Sequence, residues 1–222
     1  MNDQQLFDVR IALVQAFLER DDFDGVLLSR IDNFAMATGG RRNHVSTSAE
    51  VGAASLYVPR TGAPLVVCNN IEAPRMRDEE IPPDWCDVHQ YAWWDASAAS
   101  DVQRLFAGRL ASDDGAVGAN VNDELAELRS LLTEPEMEKY RVLGRRSAEA
   151  MEAALAQVER GMPERQAAEI LHAEAQRRGC SLPVCLIAAD ERIAKYRHPL
   201  PPADGLIGNW NDAPITGYVM LV

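Results

Sequence analysis

One histidine of this chain lies where it could support proton transfer or hydrogen bonding to a substrate. His198 stands in the stretch "ERIAKYRHPLPP" after an apolar run, with Arg197 before it and Pro199 after it. The ring of Pro199 fixes its own φ and biases His198 towards extended conformations. An imidazole that titrates near neutral pH and is held on a stiff segment can donate a hydrogen bond or carry a proton. The same residues are equally compatible with a structural histidine.

The other histidines occur in less specific patterns. His44 lies in the polar loop "GGRRNHVSTS", where it could meet a ligand in a cleft or belong to the loop alone. His89 lies in a predicted strand, which favours a structural role. Glu169 and His172 are three residues apart, a spacing used in carboxylate-bridged di-metal bundles, but no second pair accompanies them, which favours a solvated helix face. No Gly-rich phosphate loop, GxSxG elbow or HExxH pair is present.

Composition narrows the classes of partner. The formal net charge of −12 argues against nucleic acid or an anionic membrane as the main partner, because both require clustered lysine and arginine. No stretch approaches the roughly 20 apolar residues of a membrane span, and the N-terminus lacks the pattern of a signal peptide. The scattered cysteines form no CxxC pair and predict reduced thiols in a cytoplasmic protein. The cysteines are Cys68, Cys86, Cys180 and Cys185.

Strands alternate with helices in the first part of the chain. The predicted elements are a helix in "QLFDVRIALVQAFLERDD", a strand in "FDGVLLS", a helix in "IDNFAMATGG", a hairpin of "AASLYVP" and "APLVVCN", a helix between Asn70 and Glu80, a strand in "WCDVHQY", a helix in "SDVQRLFAGRLA" and a strand in "GAVGANV". The apolar stripe predicted for the first helix comprises Leu6, Val9, Leu13, Phe17 and Leu18. This alternation predicts an α/β layer structure for residues 1–131.

The pattern changes near residue 132. Thr133 can cap a long helix that continues to Arg160. Gly161 ends that helix, Pro163 opens a second one, and Gly179 ends the second. The apolar run "SLPVCLIAA" then predicts a strand. The second part, residues 132–222, is therefore expected to be an α+β unit built on a different plan.

These segments resemble a known family. The stretch "LLTEPEMEKYRVLGRRSAEAMEAALAQVERGMPERQAAEILHAEAQRRG" resembles the opening helices of the catalytic domain in the pita-bread metallohydrolases, in the branch of Xaa-Pro aminopeptidase, prolidase and creatinase. The stretch "FDGVLLSRIDNFAMATGG" is similar to the N-terminal domain of that branch. The resemblance implies a creatinase-type N-terminal α/β domain over residues 1–131. An incomplete α+β pita-bread catalytic domain, truncated before its metal ligands, would occupy residues 132–222.

The resemblance also assigns roles to residues. A histidine after the first strands of the family's catalytic domain lines the substrate pocket and hydrogen-bonds the substrate or intermediate, and His198 occupies that position, with Arg197 beside it. The family's N-terminal domain shapes the pocket entrance, for which Arg41, Arg42 and His44 are the candidates.

Metal chemistry in the family depends on five further ligands. Two aspartates, a histidine and two glutamates hold two divalent ions (manganese, cobalt or zinc) that activate a bridging water. The first aspartate would follow Val222, so the resemblance implies that this chain, taken alone, is an inactive fragment that binds no metal. The family often has a Gly- and Asn-containing loop before its histidine, whereas this chain has "AADERIAKYRHP".

The function implied is hydrolysis of the peptide bond preceding proline, with a proline-containing peptide as substrate, in a cytoplasmic homodimer that contacts neither nucleic acid nor membrane. Two alternatives stay open at this point. One is a metal-independent, creatinase-like hydrolase of a small C–N amide substrate. The other is a catalytically silent homologue that serves as a binding or dimerisation module.

Overall fold

The computed structural model describes residues 1–199, 215, 217 and 219–221. The chain divides into two compact units, Met1–Glu136 and Met137–Val222. The division near residue 132 into two functional domains stays a prediction.

The first unit is an α/β layer structure, as the alternation of elements predicts. Its helices are α1 (Asp3–Arg20), α2 (Ile31–Ala37), the short α3 (Ala73–Arg75) continued by a π-helical turn (Met76–Glu80), α4 (Ala98–Leu105) and α5 (Asn122–Ser130). Its strands are β1 (Gly25–Arg30), β2 (Val51–Pro59), β3 (Leu65–Asn69), β4 (Asp87–Tyr91), β5 (Leu110–Ser112) and β6 (Ala119–Asn120).

The described strands of this unit form one mixed sheet. The six strands lie in the order β4-β3-β2-β1-β5-β6. Strand β2 runs antiparallel to both β1 and β3, and the predicted hairpin of β2 and β3 is confirmed. The other neighbouring pairs are parallel. Strands β1 to β3 are largely buried, which makes them the centre of the first unit's core.

Helix α1 buries a different face from the predicted one. Val9 and Leu13, both placed on the apolar stripe, are 38% and 39% exposed, whereas Arg10 is 1% exposed. The prediction was wrong here because a charged side chain is normally assigned to the solvent side. Leu6, Phe17 and Leu18 are buried as predicted.

Arg10 is buried because every side of its guanidinium has a partner. Its Nε donates to Glu136 Oε1 at 3.0 Å, and one Nη also contacts the second oxygen of that carboxylate. The carbonyls of Leu128 and Leu131 accept from its Nη groups at 3.4 and 2.9 Å. Burial alone would raise the pKa of Glu136, but hydrogen bonds from Arg10 and Thr133 outweigh it and hold that pKa below its ordinary value.

The segment "SDVQRLFAGRLA" is only partly helical. Helix α4 ends at Leu105, and the residues predicted as its last turn form β5, which pairs in parallel with β1. Gly118 allows β6 to lie next to β5, since its φ is +59° and a Cβ there would come within 1.9 Å of the carbonyl oxygen of Leu110. Pairing with the buried strand β1 therefore overrides the helical pattern of the sequence.

The second unit has two long helices followed by strands, as predicted, but the first helix ends at Leu155 and does not continue to Arg160. Its elements are α6 (Glu134–Leu155), α7 (Glu164–Arg177), β7 (Ile187–Ala189), α8 (Glu191–Lys195) and β8 (Val219–Leu221), with the first residues of α6 belonging to the first unit. Strands β7 and β8 are antiparallel, and Ile187 lies opposite Leu221. Small residues such as Ala154, Ala167 and Ala168 pack with Leu171 and Ile187 in the core. Among the described residues, no helix is long and apolar enough to cross a membrane.

Candidate functional site

His198 lies on an exposed segment at the end of helix α8. Strand β7 ends at Ala189, α8 follows from Glu191 to Lys195, and the side chains of Arg197 and His198 are exposed. The sequence predicted that His198 lies on a stiff loop at the end of a strand, whereas the structure has the short helix α8 between β7 and His198. Pro199, next to His198, is buried. The arrangement leaves the imidazole accessible to a ligand.

The turn between β7 and α8 has a strained backbone. Asp190 has φ 51° and ψ −122°, a combination that non-glycine residues rarely adopt. Its carboxylate accepts a hydrogen bond from the backbone N–H of Gly217 at 2.6 Å, which ties the turn to the chain that leads into β8. Such strain persists only where surrounding contacts impose it.

Glu164, the first residue of α7, contacts residues on both sides of this turn. Its side chain is 1% exposed, and its Oε1 accepts from the backbone N–H of Ala189 at 2.8 Å. Its Oε2 accepts from Arg192 Nη1 at 2.7 Å. Glu164 was not predicted from the sequence as a site residue, because an acidic residue in the first helical turn is normally explained by the helix dipole at the surface.

The candidates of the first unit lie in the loop after α2. Arg41 stacks over the ring of Trp85 with 5.0 Å between guanidinium carbon and ring centroid, and it pairs with Asp3 at 3.5 Å. Arg42 donates to Glu80 from its backbone N–H at 2.9 Å and from its Nε at 3.1 Å. Both arginines therefore have partners inside their own unit.

His44 differs from the two arginines in one respect. Its ring is half-buried, and its Nδ1 is buried without a hydrogen-bond partner among the described residues. Arg41, Arg42 and His44 belong to the first unit and Arg197 and His198 to the second.

A cavity of about 310 Å³ lies beside strand β4 in the first unit. Its lining combines apolar side chains with one arginine and one aspartate, and none of the candidate residues belongs to it. The Arg77 guanidinium donates to the carbonyl of Val88 at 2.9 Å and to the Gln90 side chain at 3.0 Å. Its hydrogen bonds therefore go to residues of strand β4. The lining residues are Arg77, Ile81, Pro83, Cys86, Asp87 and Val88.

The described part of the chain has neither an activated thiol among Cys68 and Cys86 nor a cluster of metal ligands. Burial raises the pKa of Cys68 and of Cys86 to about 11, so both thiols stay protonated at neutral pH. All four cysteines are free. No group of three or more His, Cys, Asp or Glu side chains in the described residues could hold a metal ion. The metal ions implied by the resemblance do not fit the residues that the structure describes.

His89 contacts a buried aspartate. Its Nε2 lies 2.5 Å from Asp101 Oδ2, and Arg104 donates to the other oxygen of that carboxylate at 2.5 Å. Asp101 is 2% exposed. Burial would raise the pKa of Asp101, but the hydrogen bonds from Arg104 and His89 outweigh burial and lower that pKa below 3.8.

The lowered pKa of Asp101 predicts an acid-sensitive contribution to stability. A carboxylate with a depressed pKa in the folded state stabilises the fold above its unfolded-state value and loses that contribution as pH falls below it. We expect Asp101→Asn to lower the free energy of unfolding by about 1.5–3 kcal/mol at pH 7. The difference from the unmodified protein should shrink below about pH 3.8. Urea titrations at pH 7, 4 and 3 measure this, with the exposed Asp95→Asn as control; a difference independent of pH would contradict it.

Comparison with known proteins adds information on the fold. No sequence-family model and no curated protein sequence matches the chain. Solved structures do match it over nearly its full length. The dipeptidase PepE from Mycobacterium ulcerans is 16% identical with a TM-score of 0.70, covering 99% of this chain and 60% of its own.

Two further matches agree with the first. The prolidase from Pyrococcus horikoshii OT3 is 14% identical with a TM-score of 0.65, covering 96% of this chain and 58% of its own. The X-Pro aminopeptidase from Thermotoga maritima MSB8 is 15% identical with a TM-score of 0.67, and the match covers 95% of this chain and 59% of the aminopeptidase. The chain has the prolidase-type, pita-bread fold.

The order of the two units along the chain agrees with the prolidase-type fold. The sequence-based fold class, a creatinase-type α/β domain followed by part of a pita-bread catalytic domain, is confirmed by these matches. The chain spans about 60% of the length of the structures it matches. At 12–16% identity among the prolidase, dipeptidase and aminopeptidase structures, the likeness is one of fold.

Proposed function

We propose that the chain provides the N-terminal domain, residues 1–131, and the first part of the catalytic domain, residues 132–222, of a Xaa-Pro-type metallopeptidase homologue. The reaction is hydrolysis of the peptide bond that precedes proline. The observation that carries this proposal is the match of both units, in order, to structures named as a dipeptidase, a prolidase and an X-Pro aminopeptidase.

His198 is the proposed catalytic residue. A histidine N–H placed at the carbonyl oxygen of the scissile bond stabilises the negative charge that develops there during attack by water. The exposure of His198 and the burial of Pro199 support this role, because the ring is accessible while the residue next to it is buried. Arg197, beside it and equally exposed, is the proposed contact for a carboxylate of the substrate.

Residues of the first unit are proposed to form the rim of the substrate entrance. Arg41 and Arg42 keep side chains that are 31% and 68% exposed, and they carry positive charge in a chain of net charge −12. The Nδ1 of His44, which has no hydrogen-bond partner among the described residues, adds a polar atom to the same loop. A homodimer and a cytoplasmic location belong to the proposal as well, as the resemblance implies.

The two divalent ions of the family would supply an activated hydroxide when bound. The described residues offer no cluster for them, so the ions are proposed to need residues outside that part of the sequence. For the same reason we expect the 222-residue chain alone to be inactive. Metal-dependent cleavage of an Ala-Pro peptide by the purified 222-residue chain would contradict this expectation.

Hydrolysis assays on the complete gene product that contains these residues test the proposal. An Ala-Pro peptide, a matched Ala-Ala peptide and creatine should be compared, with the metal content of each preparation measured in parallel. The proposal expects about two divalent ions per subunit and cleavage of the Ala-Pro peptide alone. Turnover of creatine without metal would favour the creatinase-like alternative, and turnover of no substrate would favour a silent binding module.

A further inference from the structure

A single buried carboxylate connects helix α7 to both sides of the strained turn that precedes His198. We propose that Glu164 is a positioning residue, which acts through Ala189 and Arg192 to hold the segment carrying Arg197 and His198 in one conformation. The inference rests on the proposed function in one respect, namely that His198 is the residue whose position matters. The contacts themselves are independent of any reaction.

Glu164 and its contacts with Ala189 and Arg192 form what we call the clamp. Each of its oxygens has a different partner, the Ala189 N–H at 2.8 Å and Arg192 Nη1 at 2.7 Å, and the two partners flank Asp190. The Glu164 and Arg192 side chains are 1% and 18% exposed, so water screens the pair weakly. A well-packed apolar pair would give similar or greater stability, and the buried ion pair instead provides directional contacts that fix geometry.

The clamp reaches His198 through Arg192 and Tyr196. The backbone carbonyl of Arg192 accepts from the Tyr196 N–H at 3.1 Å, and its guanidinium lies over the Tyr196 ring, 5.8 Å from the centroid. Arg192 therefore contacts the last residue before the "RHP" stretch by main chain and by side chain. Pro199, on the other side of His198, is buried.

Backbone dynamics of the 222-residue chain give a test that requires no substrate. The ¹⁵N order parameter of the His198 amide is measured in the unmodified protein, in Glu164→Gln and in Arg192→Met. The matched control is Glu169→Gln, which makes the same chemical change on the same helix at an exposed carboxylate paired with Arg165 at 2.9 Å. Amide-exchange protection of β7 reports whether the second unit stays folded in each variant.

We expect an order parameter of about 0.85 for His198 in the unmodified protein and below about 0.6 in both clamp variants. Glu169→Gln should leave it unchanged. If Glu164→Gln unfolds the second unit, Arg192→Met still tests the proposal, because it keeps the hydrogen bond that the Ala189 N–H donates to Glu164. An unchanged His198 amide in a folded Arg192→Met protein, or the same loss in Glu169→Gln, would overturn the proposal. The dynamics experiment tests only the positioning role of Glu164, and the hydrolysis assays test only the proposed reaction. A failure of one proposal can therefore be told apart from a failure of the other.

Discussion

Replacing Arg10 with methionine is expected to lower the free energy of unfolding of the first unit by about 3–5 kcal/mol. The substitution leaves the Glu136 carboxylate, whose side chain is 14% exposed, without its buried partner. The carbonyls of Leu128 and Leu131 lose their donors at the same time. Removing one member of a buried, multiply hydrogen-bonded pair costs far more than the pair contributes, because the remaining charge stays desolvated.

Helix α1 supplies its own control for this prediction. Arg20 pairs with Asp21 at 2.8 Å near the end of the same helix, and its side chain is 61% exposed. Arg20→Met should therefore cost less than about 1 kcal/mol. Urea unfolding followed by tryptophan fluorescence suits both variants, since the buried Trp85 stacks on Phe7 of α1 with centroids 4.6 Å apart. Equal decreases in the free energy of unfolding for Arg10→Met and Arg20→Met would contradict the prediction, because the buried pair would then contribute no more than the exposed one.

The second large effect concerns the proposed reaction. In the complete gene product, His198→Ala is expected to lower kcat/KM for an Ala-Pro peptide by about 10²–10³. The loss arises because the oxyanion that forms on the scissile carbonyl no longer receives a hydrogen bond from the imidazole. His198→Gln keeps an N–H donor and should recover part of that loss.

His172→Ala is the matched control for the His198 substitution. His172 is an exposed histidine of α7 in the same unit and has no part in the proposed site. Its replacement should leave kcat/KM within about twofold of the unmodified value, consistent with the small effects of surface substitutions. Similar rates for His198→Ala and the unmodified protein, with the metal content unchanged, would remove His198 from the mechanism.

Patterns with a local physical cause were predicted correctly from the sequence. Helix α2 ends where Gly39 adopts φ +65°, and the β2–β3 hairpin turns where Gly62 adopts φ +100°. Helix α7 begins after Pro163 and is followed by Gly179 with φ +71°, as expected for a proline start and a glycine stop. The α/β plan of the first unit follows from the same local signals.

Features that depend on distant partners were missed. Arg10 is buried because Glu136, 126 residues later, reaches it, and no pattern local to α1 indicates this. The short strand β5 pairs in parallel with β1, far earlier in the chain, and β7 is three residues long rather than the predicted nine-residue run. The burial of Arg10 and the formation of β5 both involve contacts between residues far apart in the sequence.

The candidate site was predicted only in part for the same reason. The stretch around His198 has unusual local residues, so it could be selected from the sequence. Glu164 could not be selected, since its role depends on its contacts with Ala189 and Arg192, which lie 25 and 28 residues further along the chain. An acidic residue at a helix start followed by an arginine beyond the next strand would be the signal to seek.

A crystal structure of the complete gene product with a bound proline-containing dipeptide tests the central claim most directly. The account predicts that a His198 ring nitrogen lies about 2.6–3.2 Å from an oxygen of the dipeptide. A dipeptide bound elsewhere, with the His198 imidazole facing bulk solvent and separated from the ligand, would contradict it.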